Sequence, residues 1–316
     1  MWKIKCCFIL LLLSSHSVLI AQQQMPFMIG VADSNGIVMP FAVYNGETWT
    51  NPWPQRDYSG PGSTQPDIVY DKLHEIPKTW HEPLEKIPEG WNILHPDGVT
   101  ETIHITKLSL AFSYCMLKWA LIGEESKKEH VGTMGDFYRL AHDLYLATTA
   151  ALTGFNMEIP GTQSDEYREI YRIIETSIAI SEYTENHPVT DTDRNAVKTE
   201  LISIVRNKTL QDGGFIYYVE AKKDYKDNRS NPCISYFDGW ILKDSNNELS
   251  FIRQNFKIYD HEMMYLSPDI PLGILMLDGR SYWIIRNRGY ESEEWLILDV
   301  SPSGITPILN VYGGGC

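Results

Sequence analysis

Cysteine and cationic side chains are the scarce components of this chain. Five cysteines occur in 316 residues, and two of them, Cys6 and Cys7, stand near its start. That usage excludes a dense disulfide scaffold. Lysine and arginine number 27 against 41 acidic residues, for a formal charge of −14. Such a chain repels phosphates and anionic bilayers, so no nucleic-acid partner is expected, and the acidity reads as a source of solubility. Beyond the first residues, no apolar run approaches the ~20 residues needed to span a bilayer as a helix.

Several catalytic signatures are missing too. His81-Glu82 is followed by Pro83, which forbids the helix that a zinc-binding HExxH motif requires. Asp260-His261-Glu262 sets three potential ligands in a row, but neighbours on a strand or turn point apart. No G-x-S-x-G frames a serine: neither Ser63 nor Ser303 fits. Phosphate-cradling and dinucleotide fingerprints are absent as well. No metal and no cofactor is expected.

The segment Met1 to Ala21 has Lys3 and Lys5, a short apolar run from Phe8 to Leu13, and a small residue before Gln22-Gln23-Gln24. It reads as a signal peptide, which makes the protein a secreted one, extracellular or periplasmic. Cleavage leaves Cys115, Cys233 and Cys316. A Cys233–Cys316 disulfide is expected, tying down a loose glycine-rich tail. Cys115, in an apolar stretch, is expected as a buried core thiol.

What is abundant is β-strand grammar. Pro271 to Val300 carries three apolar or alternating runs with turns between them, an antiparallel meander around which the chain is organised. Asp278-Gly279 is a two-residue hairpin loop. Similar patterns predict strands over Phe27–Ala32, Ile37–Tyr44, Glu47–Thr50, Trp91–His95, a long run from Val99, Tyr114–Ile122 and Leu144–Thr149. Further strands are expected over Phe215–Ala221, Ile234–Lys243 and Glu248–Ile258. Asn45-Gly46 is expected as a tight turn with positive φ at both positions. The alternation changes phase near Thr106-Lys107, which predicts a bulge. Thr199–Arg206 fits a strand or a short helix equally.

Tyr167, Ile170, Tyr171, Ile174 and Ile178 form one apolar stripe at helical spacing. They predict an amphipathic helix over about 165–184, capped by Ser164. The fold class is mainly β, sandwich- or barrel-like antiparallel meanders with one helix, α+β overall. A β-rich region 22–160 bears a Pro/Gly-rich loop at 51–90, followed by a helix-plus-β region 161–316; one domain or two remains open.

No reaction follows from these patterns. The first expectation is a non-catalytic module that binds a carbohydrate or protein partner. Trp49, Trp53 and Trp80 are its candidate stacking platform, since sugars stack on exposed indoles. The alternative is a secreted, glycosidase-like hydrolase with paired carboxylates in a cleft. Its candidates are Glu220, mid-strand among aromatics, with Asp260, Glu293 or Glu294. An acid buried in such a strand needs a partner, a basic residue such as Lys222 or an arginine across the sheet. Asn207-Lys208-Thr209 and Asn228-Arg229-Ser230 are sequons that matter if the host glycosylates.

Overall fold

A computed structural model describes residues 26–33, 36–52, 89–95, 99–113, 116–124, 144–150, 157–209, 213–225, 232–260, 269–289 and 292–315, with backbone alone for 107–113, 116–119, 260 and 315. The expected signal peptide, Trp53, Trp80, Cys115, Asn228 and Cys316 lie outside them.

The N-terminal strands are β1 (Phe27–Asp33), β2 (Ile37–Tyr44), β3 (Trp49–Thr50), β4 (Gly90–Leu94), β5 (Thr100–Ser113), β6 (Met116–Gly123) and β7 (Leu144–Thr148). They run in the order β1-β7-β4-β5-β6-β2-β3, and β1 also pairs with β2, so six strands close into a barrel. Alternation decides what lies inside it. Met28, Ala32, Val38, Trp91, Ile93, Leu121 and Ala147 form one buried cluster, while Phe27, Ile29, Val31, Ile37 and Met39 belong to another. The predicted bulge is present as a register shift between Ile105 and Lys107.

The turn after β2 departs from expectation. Gly46 has φ of 103°, but Asn45 is not in the left-handed region. Its side chain instead accepts from the Glu47 and Thr48 amides at 2.9 and 2.8 Å, which lengthens the loop and shortens β3 to two residues.

Helix α1 (Asp165–Thr184) matches its expected bounds. The Ser164 hydroxyl accepts from the Tyr167 amide, and Ile170, Ile174 and Ile178 are fully buried. Truncating one of these isoleucines to alanine costs about 2–5 kcal/mol. A second helix, α2 (Asp191–Ala196), fills a polar stretch with no apolar stripe; Thr190 caps it.

Strands β8 (Glu200–Lys208), β9 (Phe215–Asp224), β10 (Cys233–Lys243) and β11 (Leu249–Asp260) form a sheet in the order β11-β10-β9-β8. The organising meander is β12 (Asp269–Leu277), β13 (Arg280–Arg288) and β14 (Ser292–Ser301), with β15 (Gly304–Gly315) added. Asp278 and Gly279 both take positive φ, 50° and 75°, as a two-residue hairpin requires. The fold is thus mainly antiparallel β with one long helix.

The meander sheet is covered on both sides. Tyr282, Ile284, Trp295 and Ile297 pack against the barrel's outer face, where the Phe41 and Trp295 rings lie 5.5 Å apart. Trp283, Ile285, Leu298 and Val300 pack against Tyr218 and Trp240 of the β8–β11 sheet. That sheet's other face receives α1, through Tyr217, Val219, Ala221 and Phe237. The order of layers is barrel, meander sheet, second sheet, helix.

The tail is a strand, not a loose segment; the expected Cys233–Cys316 disulfide involves Cys316, which lies outside the described residues. β14 holds β15 as far as Gly315. Cys233 is buried, with its sulfur 3.8 Å from His187 Nε2.

Candidate functional site: an acid cluster at one end of the seam between sheets

Even-numbered residues of β9 and β10 point into the seam between the two C-terminal sheets. Glu220 of β9 stands directly opposite Asp238 of β10, which stands opposite Asn255 of β11. From the facing sheet, Asp269 of β12 stands opposite Asn287 of β13, which stands opposite Glu294 of β14. Each sheet therefore contributes one Asp–Asn pair. Asn255 donates to Asp238 at 2.8 Å, and Asn287 donates to Asp269 at 2.6 Å. Asp238 and Asp269 are half-buried; Glu220, 2% exposed, lies behind them.

Among the described residues, no cation forms an ion pair with Glu220. The expected partner, Lys222, pairs with Glu200 at 3.4 Å instead, because it is two residues further toward the sheet's rim. The carboxyl of Glu220 accepts the Tyr218 hydroxyl at 2.6 Å. Tyr236 turns its hydroxyl toward the same carboxyl and favours its charge, yet it completes no hydrogen bond of good geometry. Burial dominates and lifts the Glu220 pKa from 4.5 to about 7, with Asp269 and Asp238 adding repulsion. Burial also raises both aspartates. Their asparagine partners oppose that rise, and so do Arg253 at both positions and Lys257 at Asp238. The result is a carboxyl with a pKa of about 7 beside two aspartates that burial also shifts upward.

The remaining predicted residues scatter. Glu294 borders the cluster, where its charge repels that of Asp269. Glu293 is buried in an ion pair with Arg286 at 2.8 Å and also accepts the Trp295 indole N–H, so it is committed to the core. Asp260 ends β11 opposite Cys233, and its side chain is outside the described set. Trp49 fails as a platform: it is 8% exposed, wedged among Phe27, Tyr44 and Tyr282 in the layer between barrel and meander. Asn207 of the first sequon is buried and donates its amide to Ser281 Oγ at 3.1 Å.

Sequence reasoning missed Asp238 and Asp269. Asp238 sits in Tyr236-Phe237-Asp238-Gly239-Trp240, the same kind of aromatic strand that singled out Glu220. A second buried network was missed as well. Continuing the α1 stripe by four from Ile178 lands on Glu182, which is 1% exposed. It accepts from Ser235 at 2.7 Å and Tyr225 at 2.6 Å, and pairs with Lys223 at 3.3 Å. His187 Nε2 lies 2.9 Å from Ser235 Oγ, which resembles a hydrolase triad. The direction is wrong for one. His187 Nδ1 accepts the Val189 amide, so the proton of the neutral ring is on Nε2 and donates to Ser235. A base must accept from its serine. This network fastens the end of α1 to the second sheet.

Among the described residues, no group of three His, Cys, Asp or Glu side chains is arranged to hold a metal ion. No helix there is long and apolar enough to cross a membrane. Compared with protein-family models, curated proteins and solved structures, the chain matches none.

Proposed function

We propose that the protein is a secreted hydrolase of the glycosidase type, working through the carboxylates at the seam. One observation carries this reading: Glu220 is buried with no ion-pair partner among the described residues, opposite Asp238 and facing Asp269, with its pKa raised to about 7. Glycoside hydrolysis needs one carboxyl that keeps its proton and a second that has lost it. Glu220 supplies the first, as general acid, directly or through one water. Asp238, outward of it, supplies the second. Directly opposite residues on a sheet have Cβ atoms about 4.5–5.5 Å apart. That suits the short carboxyl separation, ~5–5.5 Å, of retaining enzymes. Asp269 and Glu294 line the solvent side and would meet the sugar hydroxyls. The non-catalytic reading loses support because Trp49, the one described member of its platform, is in the core.

The test is a sugar-release screen of residues 22–316 against a broad panel of polysaccharides, with Glu220→Gln and Asp238→Asn run beside it. The expected outcome is release by the parent chain, lowered about 10²–10⁴-fold in Glu220→Gln, with activity falling as pH rises past about 7. Undiminished release by Glu220→Gln, or none from any polymer, sinks the proposal.

A further inference from the structure

The row of residues that crosses the meander sheet at the acid cluster continues to the sheet's last strand. Asp269, Asn287, Glu294 and Tyr312 stand opposite one another in turn on β12, β13, β14 and β15. Directly opposite residues share a face, so all four belong to the seam side of the sheet. The neighbours of Tyr312 agree. Val311 packs in the barrel-facing cluster, and a side chain at Gly313 would meet Glu293 and Trp295 on that same side. Asn310, the next residue of β15 on the seam side, donates to Glu294 at 3.4 Å.

Along this row burial gives way to exposure. Asp269, Asn287 and Glu294 are half-buried, whereas Tyr312, on the outermost strand, is 45% exposed. Three strand spacings, ~14 Å, separate Asp269 from Tyr312, well beyond the span of one sugar ring. At the inner end Tyr236 is 3% exposed, and its hydroxyl lies among Glu220, Asp238 and Asp269. It completes no hydrogen bond of good geometry among the described residues. A buried hydroxyl left so is costly, and an oxygen brought in by a ligand would satisfy it. The row therefore leads from an unsatisfied polar end, past carboxylates and an amide, to an exposed aromatic ring.

We propose that this row is the floor of a groove for a neutral oligosaccharide, whose outer sugar stacks on Tyr312 while Asn287 and Glu294 meet the hydroxyls of the sugars between. The choice of a sugar rests on the glycosidase reading, to which the groove adds that the substrate is a chain and not one sugar on a simple leaving group. Sugar hydroxyls both donate and accept, which suits a carboxylate beside an amide, and the C–H face of a sugar suits an exposed phenol ring. Neutrality follows from charge. Glu220, Asp238, Asp269 and Glu294 outnumber Arg253 and Lys257 at this end of the seam, so uronic or sulfated sugars are repelled.

Isothermal titration of the protein with the di- and hexasaccharides of the cello, xylo, manno and chito series, beside hexagalacturonate, tests this. At least one neutral hexasaccharide is expected to bind, about tenfold or more tighter than its disaccharide. Tyr312→Ala, at an exposed side chain, should cost about tenfold of the hexasaccharide affinity, and Tyr312→Phe, which keeps the ring, should retain it. Equal affinity for disaccharide and hexasaccharide overturns the proposal. So does hexasaccharide binding that Tyr312→Ala leaves unchanged, tighter binding of hexagalacturonate, or no binding of any neutral hexasaccharide. Length-dependent binding that needs Tyr312, in a protein that releases no sugar, would uphold the groove and defeat the glycosidase reading alone.

Discussion

Three glutamates are buried among the described residues, in two kinds of surroundings. Glu293, in the layer against the barrel, is paired with Arg286; Glu182, under the end of α1, is paired with Lys223 and receives two hydroxyls. Glu220, at the seam's end, faces two tyrosines and two aspartates. All three are at most 2% exposed. Burial alone therefore does not distinguish a structural acid from a candidate catalytic one. A charge removed from water costs several kcal/mol unless a cation compensates it. Glu182 and Glu293 offset that cost by pairing, whereas burial raises the Glu220 pKa to about 7 so that it binds a proton more tightly.

The contrast is most severely tested at Arg286. Replacing it with methionine strands the Glu293 charge, and the expected loss is about 3–5 kcal/mol in urea unfolding. Adding Glu293→Leu should recover most of that. A loss under about 1 kcal/mol in the single variant would mean that Glu293, like Glu220, can simply take up a proton.

Glu220→Gln should act in the opposite sense. Because the folded-state pKa of Glu220 is raised from 4.5 to about 7, the folded form holds the proton more tightly. The stability linked to it is complete below 4.5 and is lost as pH rises through 7. Glutamine removes that penalty, so the variant should equal the parent at pH 4. Above pH 7 it should exceed it by up to roughly 3 kcal/mol. Urea midpoints at the two pH values decide, and a variant less stable at pH 8 would show that Glu220 has a compensating cation after all.

The smallest effect is expected from Tyr218→Phe, which removes the one well-formed hydrogen bond to the carboxyl. The loss should be about 1 kcal/mol, and the Glu220 titration, followed by carboxyl ¹³C shifts, should move further up. A downward move would assign the dominant role to Tyr236.

Most of the architecture was legible from periodicity. The stripe Tyr167 to Ile178 located α1 to the residue, and alternation located β2, the bulge near Thr106 and the hairpin at Asp278. What escaped had no local apolar signal. α2 is polar on every side and is fixed by its Thr190 cap, whereas β15 alternates weakly, with Pro307 and four glycines, and is a strand because β14 pairs with it. At the site, Glu220 could be found because an acid among aromatics is costly to bury. Its companions could not be ranked, since which acids meet depends on the approach of two sheets whose strands are far apart in sequence. Glu293 and Glu294 illustrate the limit: adjacent on one strand, they face opposite layers, and one is locked to Arg286 while the other borders Asp269.

Barrel closure has a further consequence, in the order of folding. β1 must find β7, and the Met28 amide bonds to Thr149 across 121 residues; the Tyr44 hydroxyl reaches Asp278 across 234. Loops of that length must close before any contact rewards them, so the N-terminal strands cannot close their barrel until β7 has been made. The barrel's outer face is covered only when the last 50 or so residues arrive to form the meander, as about one-sixth of the length demands. The first strands to be made are therefore covered only after the meander has been added.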